Sequence, residues 1–228
     1  MSGEKPESIG FLRYGFFVVI TAATMFLMWF GMDYFEQELK PPELAADLKS
    51  GTLLPQAKPL QPFLLTDQDG KTFTLGNLRG HWTFLVIGYT SCPDVCPTMM
   101  STFKAIDHQI SSLGGKLAAD FLFVSVDPER DSSEKIGKYV HYFNPRFLGA
   151  TGTNEELRAL TGQLGLLFRR VENEKTPTGY LIDHSTSFML IDPDAGLSAV
   201  FSSPQDSQLI TEDLATITAR YQLLAGKD

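Results

Sequence analysis

Apolar residues recur along this chain with two different periods, and the two periods predict strands and helices. The run HWTFLVIGYT, residues 81–90, is apolar almost throughout and rich in β-branched and aromatic residues, which is typical of a strand buried on both faces. AADFLFVSVD, residues 118–127, predicts a second strand of the same kind. Between these runs, apolar residues from Met99 to Ile110 have helical spacing, which predicts a helix between the two strands.

The rest of the chain from residue 59 continues this alternation. Ser132 or Ser133 is a suitable N-cap for a second helix, and Thr153 and Glu156 have the spacing of a capping box at the start of a third. Strands alternating with helices predict an α/β fold, thioredoxin-like, with a mixed central sheet flanked by helices. The remaining predicted elements are hairpins over 63–75 and 184–201, a short strand over 146–151 and a closing helix over 206–224.

An uncharged segment precedes this domain. Residues 14–32 would form a helix of roughly 28 Å, close to the thickness of the hydrocarbon layer of a membrane. Arg13 precedes the segment, whereas Asp33 and Glu36 follow it, so the positive-inside rule places residues 1–13 in the cytoplasm and the rest outside. We therefore expect a single transmembrane anchor at the N-terminus.

A cleaved signal peptide is the alternative for this segment. Signal peptides have shorter apolar regions followed by small residues at a cleavage site, and the sequence MWFGMDYFEQ has no such site. The sequence thus favours an uncleaved anchor, then a linker over 33–58 and a folded domain over 59–228. No Arg- and Ser-rich transit peptide is evident, so a bacterial inner membrane with the domain in the periplasm is favoured over the mitochondrial inner membrane facing the intermembrane space.

Charge excludes one class of function. The 228 residues have a formal net charge of −8 and no cluster of Lys and Arg, so nothing in the chain would neutralise a phosphate backbone. We expect no nucleic-acid partner.

The chemistry is concentrated in TSCPDVCPTMM, which contains the only two cysteines, Cys92 and Cys96. Cys92 follows a buried strand and Cys96 begins a helix, so both sulfurs are expected on one face, with thiol pKa values lowered by the helix N-terminus. Three interpretations compete: an inert disulfide, a dithiol–disulfide exchanger and a metal site. A disulfide across so short a loop would stabilise the fold little, and exchangers usually have two intervening residues, not three.

A metal site would need a further ligand, and the chain has four histidines. His81 precedes the first buried strand, and His108 and His141 are expected on exposed helix faces. His184 lies at the predicted start of a strand that would neighbour the strand before Cys92. The spacing leaves open whether His184 is a ligand or caps a turn. Two cysteines and one histidine would suit Cu(I), with imidazole also accepting Cu(II) or zinc, whereas structural zinc prefers four ligands.

These residues lie in motifs that resemble the SCO/SenC family of copper chaperones for cytochrome c oxidase. The motifs are GYTSCPDVCPTMM, FVSVDPERD, FLGATGTNEEL and DHSTSFMLIDPDAG, and the resemblance covers the chain from about Pro59 to Arg220. It implies a thioredoxin-like fold that binds copper through Cys92, Cys96 and His184. It also implies that Asp127 supports the site, although an Asp before Pro128 equally suits a turn.

The resemblance implies two related functions. One is delivery of copper to the binuclear copper centre of cytochrome c oxidase subunit II. The other is reduction of the subunit II cysteines by Cys92 and Cys96, which would then be catalytic residues of a thiol–disulfide oxidoreductase. Either function would require a copper donor or a thiol reductant in the same compartment. A peroxidase is disfavoured because Pro93 follows the first cysteine, and copper sensing through a partner stays open.

Overall fold

Buried apolar strands form the centre of the fold in the computed structural model, which describes residues 21–29, 48–176 and 179–225. The chain divides into two units, Met1–Ala45 and Ala46–Asp228. In the first unit, residues 21–29 are helical (α1) and exposed. Among the residues described, no helix is both long enough and apolar enough to cross a membrane. The predicted tail, most of the predicted anchor and residues 33–47 of the predicted linker lie outside the described residues, so these assignments stay predictions.

The second unit contains ten strands and four α-helices among its described residues. A 3-10 helix over Leu75–Leu78 joins the first hairpin to the central strands. The strands are β1 Thr52–Pro59, β2 Leu64–Asp67, β3 Thr72–Thr74, β4 Thr83–Gly88, β5 Asp120–Ser125, β6 Leu148–Thr151, β7 Phe168–Glu172, β8 Tyr180–His184, β9 Phe188–Ile191 and β10 Gly196–Phe201. The helices are α2 Val95–Ser112, α3 Ser133–Phe143, α4 Asn154–Leu164 and α5 Ser207–Ala225.

Eight of the strands form one mixed sheet in the order β1-β10-β9-β4-β5-β6-β2-β3. Strands β4, β5 and β6 are parallel, and the chain returns through helices between them. Strand β9 pairs with β4 in antiparallel orientation, and β10 pairs with β9 in antiparallel orientation. This is the mixed, helix-flanked sheet of a thioredoxin-like fold, and the predicted fold class is confirmed.

Aromatic side chains fill the core between the sheet and α2. Every residue of β4 is buried, as the apolar run predicts. Phe103 of α2 packs against Phe84, Phe121 and Phe188, with ring centroids 4.8–6.1 Å apart. Each such fully buried side chain contributes roughly 1.5–3 kcal/mol through the hydrophobic effect. This packing holds α2, and therefore the cysteine that begins it, against the carboxyl end of β4.

The predicted helix caps are present. The Ser132 hydroxyl accepts a hydrogen bond from the Lys135 amide at 3.3 Å, and Ser132 is the N-cap of α3. Thr153 and Glu156 form the reciprocal capping box at the start of α4. Both caps are local sequence signals, and the structure confirms them.

The C-terminal part of the predicted linker differs in the structure. Residues Thr52–Pro59 form β1, which pairs with β10 at the edge of the large sheet. The carboxylate of Asp213 in α5 accepts the backbone N–H groups of Lys49, Ser50 and Gly51. Most of β1 is exposed and is held by main-chain hydrogen bonds, so it lacks the apolar pattern that would have revealed it. The folded domain therefore begins before residue 59.

A second small sheet contains only β7 and β8 among the described strands. The segment RRVENEKTPTGY supplies most of β7 and the beginning of β8. The prediction for His184 also needs correction, because His184 ends β8 rather than starting the strand that neighbours β4. The strand that pairs with β4 is β9, which begins four residues later.

Candidate metal centre

The cysteines lie where β4 ends and α2 begins, as predicted. Cys92 follows β4 by four residues and is partly exposed, whereas Cys96 is the second residue of α2 and is fully buried. Both are free thiols, and the backbone N–H of Cys96 points at the sulfur of Cys92 at 3.5 Å. The four-residue spacing at a helix N-terminus thus places the two sulfurs together.

Gly88, the last residue of β4, makes room for this arrangement. A Cβ atom at Gly88 would lie 2.8 Å from the sulfur of Cys96 and 2.7 Å from the ring of Phe123, closer than real Cβ contacts. The glycine in GYTSC therefore allows the buried sulfur to pack directly against the backbone of the strand.

His184 supplies a nitrogen atom to the cysteine pair. Its Nε2 lies 3.3 Å from the sulfur of Cys96. Its Nδ1 is 2.9 Å from the carbonyl oxygen of Ser185, and since a carbonyl only accepts, Nδ1 must donate. In the neutral ring this hydrogen bond leaves the lone pair on Nε2, facing the sulfur. A backbone carbonyl that sets the tautomer in this way is typical of histidines that bind metals.

The three side chains form a group that could hold a metal ion. The two sulfurs and the histidine nitrogen all lie within 4.8 Å of one another. Within the part of the chain that the structure describes, no other group of three His, Cys, Asp or Glu residues has this property. A cleft of about 330 Å³ reaches the site and is lined by Tyr89, Cys92, Pro93, Asp94, Val95, Leu181, Ile182, Asp183, His184 and Thr186. The site is therefore accessible from solvent on the Cys92 side.

The two thiols have opposite acidities. Hydrogen bonds from the Cys96 thiol, and from the backbone N–H groups of Asp94 and Cys96, lower the pKa of Cys92 to about 3 against the opposing effect of burial. The pKa of Cys96 is raised, because its thiol is hydrogen-bonded to Cys92 and buried. The prediction that the helix N-terminus lowers both pKa values is therefore wrong for Cys96. One shared proton on the pair favours a thiolate at the exposed sulfur.

The other predicted residues lie outside this group. His81, His108 and His141 are exposed and distant from it, as expected. Asp127 is buried and binds Arg130 and the hydroxyl of Tyr180 rather than presenting an oxygen within the group. Asp127 therefore contacts Arg130 and Tyr180 rather than the three candidate ligands. Its indirect role at the site stays a prediction.

Two residues beside the site were not singled out from the sequence. The ring of Tyr89 meets the imidazole of His184 edge-on, at 6.0 Å between centroids. The buried carboxylate of Asp131 accepts hydrogen bonds from both the amide and the hydroxyl of Thr90, at 2.8 and 2.5 Å. Asp131 thereby braces the turn between β4 and Cys92. Tyr89 lies in the motif GYTSC and Asp131 in SVDPERD. Their place in these motifs was the sequence signal that could have identified them.

The fold and the site together define a class, namely thioredoxin-like domains with a C-x-x-x-C pair and a distant histidine that meet at the carboxyl end of the central strand. Comparison with known proteins narrows this class. The SCO1/SenC family pattern matches residues 52–219. The chain belongs to the SCO1/SenC family, which confirms the resemblance found in its motifs.

Individual relatives agree with this membership. The chain is 32% identical over 161 residues to the mitochondrial SCO1 homolog 1 of Arabidopsis thaliana, covering 71% of this chain and 47% of that protein. It is 35% identical over 131 residues to the SCO2-like protein RP587 of Rickettsia prowazekii, covering 58% of this chain and 63% of that protein. The chain thus spans between about half and two thirds of the length of these relatives, which include mitochondrial and bacterial proteins.

Solved structures show the same fold. The Arabidopsis thaliana ScoI structure with copper bound has a TM-score of 0.67 and 32% identity, covering 71% of this chain and 98% of that one. The yeast Sco1 structure with copper bound has a TM-score of 0.63 and 30% identity, covering 69% of this chain and 86% of that one. Both proteins were solved with copper.

Proposed function

We propose that this protein is a membrane-anchored copper chaperone that binds copper through Cys92, Cys96 and His184. The observation that most supports the proposal is the meeting of these three side chains, with their ligand atoms within 4.8 Å of one another. The similarity to Sco structures solved with copper identifies the metal.

The donor set fits copper as a cargo. Two thiolates and an imidazole are soft ligands, which suits Cu(I), and imidazole also accepts Cu(II). Structural zinc prefers four protein ligands, and the described part of the chain brings only three donors together here. Cys92 is partly exposed, so incoming thiolates of a partner can replace this ligand first and the buried Cys96 afterwards. A site of this kind releases its metal to a competing set of thiolates.

We propose cytochrome c oxidase subunit II as the recipient of the copper, at its binuclear copper centre. The surface beside the site supports contact with a protein partner. Val95 and Leu167 are 40% and 77% exposed and border the two clefts on either side of His184. Exposed apolar side chains next to a reactive site are typical of transient protein contacts.

The location of the protein is also part of the proposal. Residues 14–32 would anchor the chain in a bacterial inner membrane, residues 1–13 would be cytoplasmic, and the domain would lie in the periplasm. An anchored domain beside a membrane enzyme would meet its partner at a high effective concentration.

A thiol–disulfide oxidoreductase is the second candidate, and the acidity of Cys92 favours it. The Cys92 thiolate would attack a disulfide of subunit II, forming a mixed disulfide and releasing one partner thiolate. Cys96, after losing its proton, would attack Cys92 and release the second partner thiolate. The partner gains two electrons and this protein ends with a Cys92–Cys96 disulfide, which a thiol reductant of the compartment must reduce again.

The proposal predicts that His184→Ala weakens Cu(I) binding while leaving two thiolates in place. We expect the reduced protein to bind one Cu(I) in an anaerobic competition titration, and the affinity to fall at least about tenfold in the variant because a ligand is lost. His108→Ala, which removes an exposed histidine of α2, is the matched control and should bind as the unchanged protein does.

The same titration separates the two candidates. Copper binding that is indifferent to His184→Ala would indicate a bare dithiol and favour the oxidoreductase. Transfer can then be tested directly with the copper-free, reduced soluble domain of subunit II. Copper found on subunit II after mixing with the Cu(I)-loaded chaperone and anaerobic separation of the two proteins supports delivery, whereas retention of copper on the chaperone contradicts it.

A further inference from the structure

The position of His184 depends on a hairpin that stands apart from the main sheet. Strands β7 and β8 pair only with each other among the described strands, and His184 is the last residue of β8. A two-stranded hairpin is marginally stable without further packing. The distance between His184 and the cysteines is therefore set by side chains of the hairpin that touch the rest of the domain.

Those side chains lie on one face of β8. Strand residues alternate between faces, so Tyr180, Ile182 and His184 share a face, and Tyr180 and Ile182 are only 6% and 7% exposed. Asp183, which lies between Ile182 and His184 in the chain, is exposed. The face that presents His184 is thus the face that packs on the domain, and Tyr180 is at its other end.

Tyr180 is enclosed by two arginines. The guanidinium carbons of Arg130 and Arg170 lie 3.7 and 3.8 Å from the centroid of its ring. Two groups at van der Waals distance from one centroid cannot share a face, so one guanidinium covers each face of the ring. Each contact is a cation–π interaction between a cation and the electron-rich face of an aromatic ring.

The two arginines tie the hairpin to the loop after β5. Arg130 belongs to that loop, forms an ion pair with Asp127, and donates through Nη1 to the carbonyl oxygen of Tyr180 at 3.2 Å. The Tyr180 hydroxyl donates to Asp127 at 2.9 Å. Arg170, on β7, pairs with Glu129 of the same loop at 3.2 Å. The loop therefore contacts both strands of the hairpin through charged and aromatic groups.

Arg130 also links this cluster to the metal centre. Its guanidinium lies 5.4 Å from the ring centroid of Tyr89, and Tyr89 is the residue whose ring meets His184 edge-on. Tyr89 follows β4 directly, and its carbonyl accepts the N–H of Cys92 at 3.2 Å. A single guanidinium thus touches both aromatic rings that flank the path from the hairpin to the cysteines.

We propose that Tyr180, held between Arg130 and Arg170, is a positioning residue that keeps the Nε2 atom of His184 aimed at the cysteine pair. The phenol itself contacts no ligand atom, and it acts through the hairpin and through Arg130 and Tyr89. Loss of the Tyr180 ring frees β8 from the loop after β5. The imidazole of His184, at the other end of β8, then loses its fixed orientation while both thiols stay in place. The consequence for copper rests on the proposed function, whereas the consequence for the imidazole does not.

The test uses the full chain with 15N-labelled histidine, without copper, at one pH near neutrality. Correlation spectra report the tautomer of each ring, and His184→Ala assigns the signals. We expect the unchanged protein to show His184 protonated at Nδ1. In Tyr180→Leu the two ring nitrogens should move toward averaged positions. Tyr180→Phe keeps the ring between the cations and should retain the original tautomer.

Two controls separate positioning from loss of stability. Tyr142→Leu removes a tyrosine that is 82% exposed on α3, and Ile210→Val weakens the core at α5. Both folded variants should retain the His184 tautomer, although the second should have a lower unfolding midpoint. If Tyr180→Leu fails to fold, Arg170→Gln removes one cation from a partly exposed position and should shift the same signals less.

Copper binding supplies the second readout. The Cu(II) form of the unchanged protein should show 14N coupling from His184 in its electron paramagnetic resonance spectrum, and Tyr180→Leu should lose it with about a tenfold weaker affinity. A folded Tyr180→Leu protein with the original tautomer overturns the positioning role, even if its stability is reduced. Absence of copper binding by the unchanged protein would refute the proposed function, and the copper-free spectra would still decide the role of Tyr180.

Discussion

Cys92 and Cys96 differ in exposure and in hydrogen bonding, and this difference assigns them different chemistry. Cys92 receives hydrogen bonds and is partly exposed, so it is the thiolate of the pair. Cys96 is buried against Gly88 and keeps the proton. Whether copper or a disulfide is the substrate, an incoming partner meets Cys92 first. The order in which a partner reacts with the two cysteines therefore follows from the burial of the Cys96 sulfur.

We predict that iodoacetamide modifies Cys92 and spares Cys96 in the folded, reduced, copper-free protein. The pKa of Cys92 is about 3, so its thiolate is present throughout the range above that value and is lost only as the pH falls through about 3. The labelling rate should therefore stay nearly constant from pH 5 to pH 8. Mass spectrometry of the peptides after timed quenching measures both sites.

The unfolded protein is the control for this experiment. In denaturant both cysteines should react alike, with rates that rise with pH as for ordinary thiols. Equal labelling of both cysteines in the folded protein, or a steep rise in the Cys92 rate up to pH 8, would contradict the assignment.

Gly88→Ala should displace the sulfur of Cys96 from its position against β4. The added methyl group would meet the sulfur of Cys96 and the ring of Phe123 at under 3 Å, and overpacking of this kind costs about 1–3 kcal/mol. We expect a lower denaturation midpoint together with weaker Cu(I) binding. Gly162→Ala, in α4 with nothing within 4 Å of the new methyl group, should leave copper binding unchanged and should not lower the midpoint, because alanine favours a helix more than glycine does. Unaltered copper affinity in Gly88→Ala would show that the sulfur adjusts without loss.

The individual elements fall into two groups according to how they are held. Helices α3 and α4 and strands β4 and β5 have strong local signals, and they were predicted correctly. Strand β1 and the β7–β8 hairpin depend on partners far away in the chain, and both were missed. An edge strand needs only main-chain pairing, and a hairpin with alternating charged residues resembles a polar loop. Their sequences therefore contain little evidence of the structure they adopt.

The attachment of β1 can be tested through Asp213. This buried carboxylate accepts three backbone N–H groups and the hydroxyl of Ser50, so Asp213→Ala would leave several donors unsatisfied. Hydrogen bonds to charged groups contribute about 1.5–3 kcal/mol each, and we expect a loss of at least about 2 kcal/mol in denaturant unfolding. Glu212→Ala, which removes exposed contacts with Lys49 and Gln208, should change stability little. Equal effects of the two changes would mean that β1 is not anchored by Asp213.

The chain as a whole combines a folded site with a predicted membrane segment. The domain holds the candidate metal centre, and the apolar segment over 14–32 would decide where that centre operates. A chain with residues 1–33 removed should bind Cu(I) as the full chain does, because all three proposed ligands lie in the domain. It should also appear in the soluble fraction of cells, while the full chain sediments with the membranes and resists extraction by carbonate.

The outcome bears on function as well as location. Because residues 14–32 are also the proposed export segment, the shortened chain carries a cleavable signal peptide in this test. If the proposed anchor is needed to meet an oxidase, cells with this exported, unanchored chain should lose oxidase activity at low copper even though copper binding is intact. Full activity of the shortened chain, or release of the full chain by carbonate, would contradict an anchored chaperone.

The amino-acid order alone established the α/β class, the helix caps, the buried strands and the cysteine pair at a strand–helix junction. These features depend on residues close together in the chain, where period, capping and turn chemistry act. Only the tertiary structure brought His184 to Cys96, across 88 residues, and placed Tyr89, Arg130 and Tyr180 around it. That contact depends on how a separate hairpin packs on the end of a sheet, and no local pattern specifies such packing.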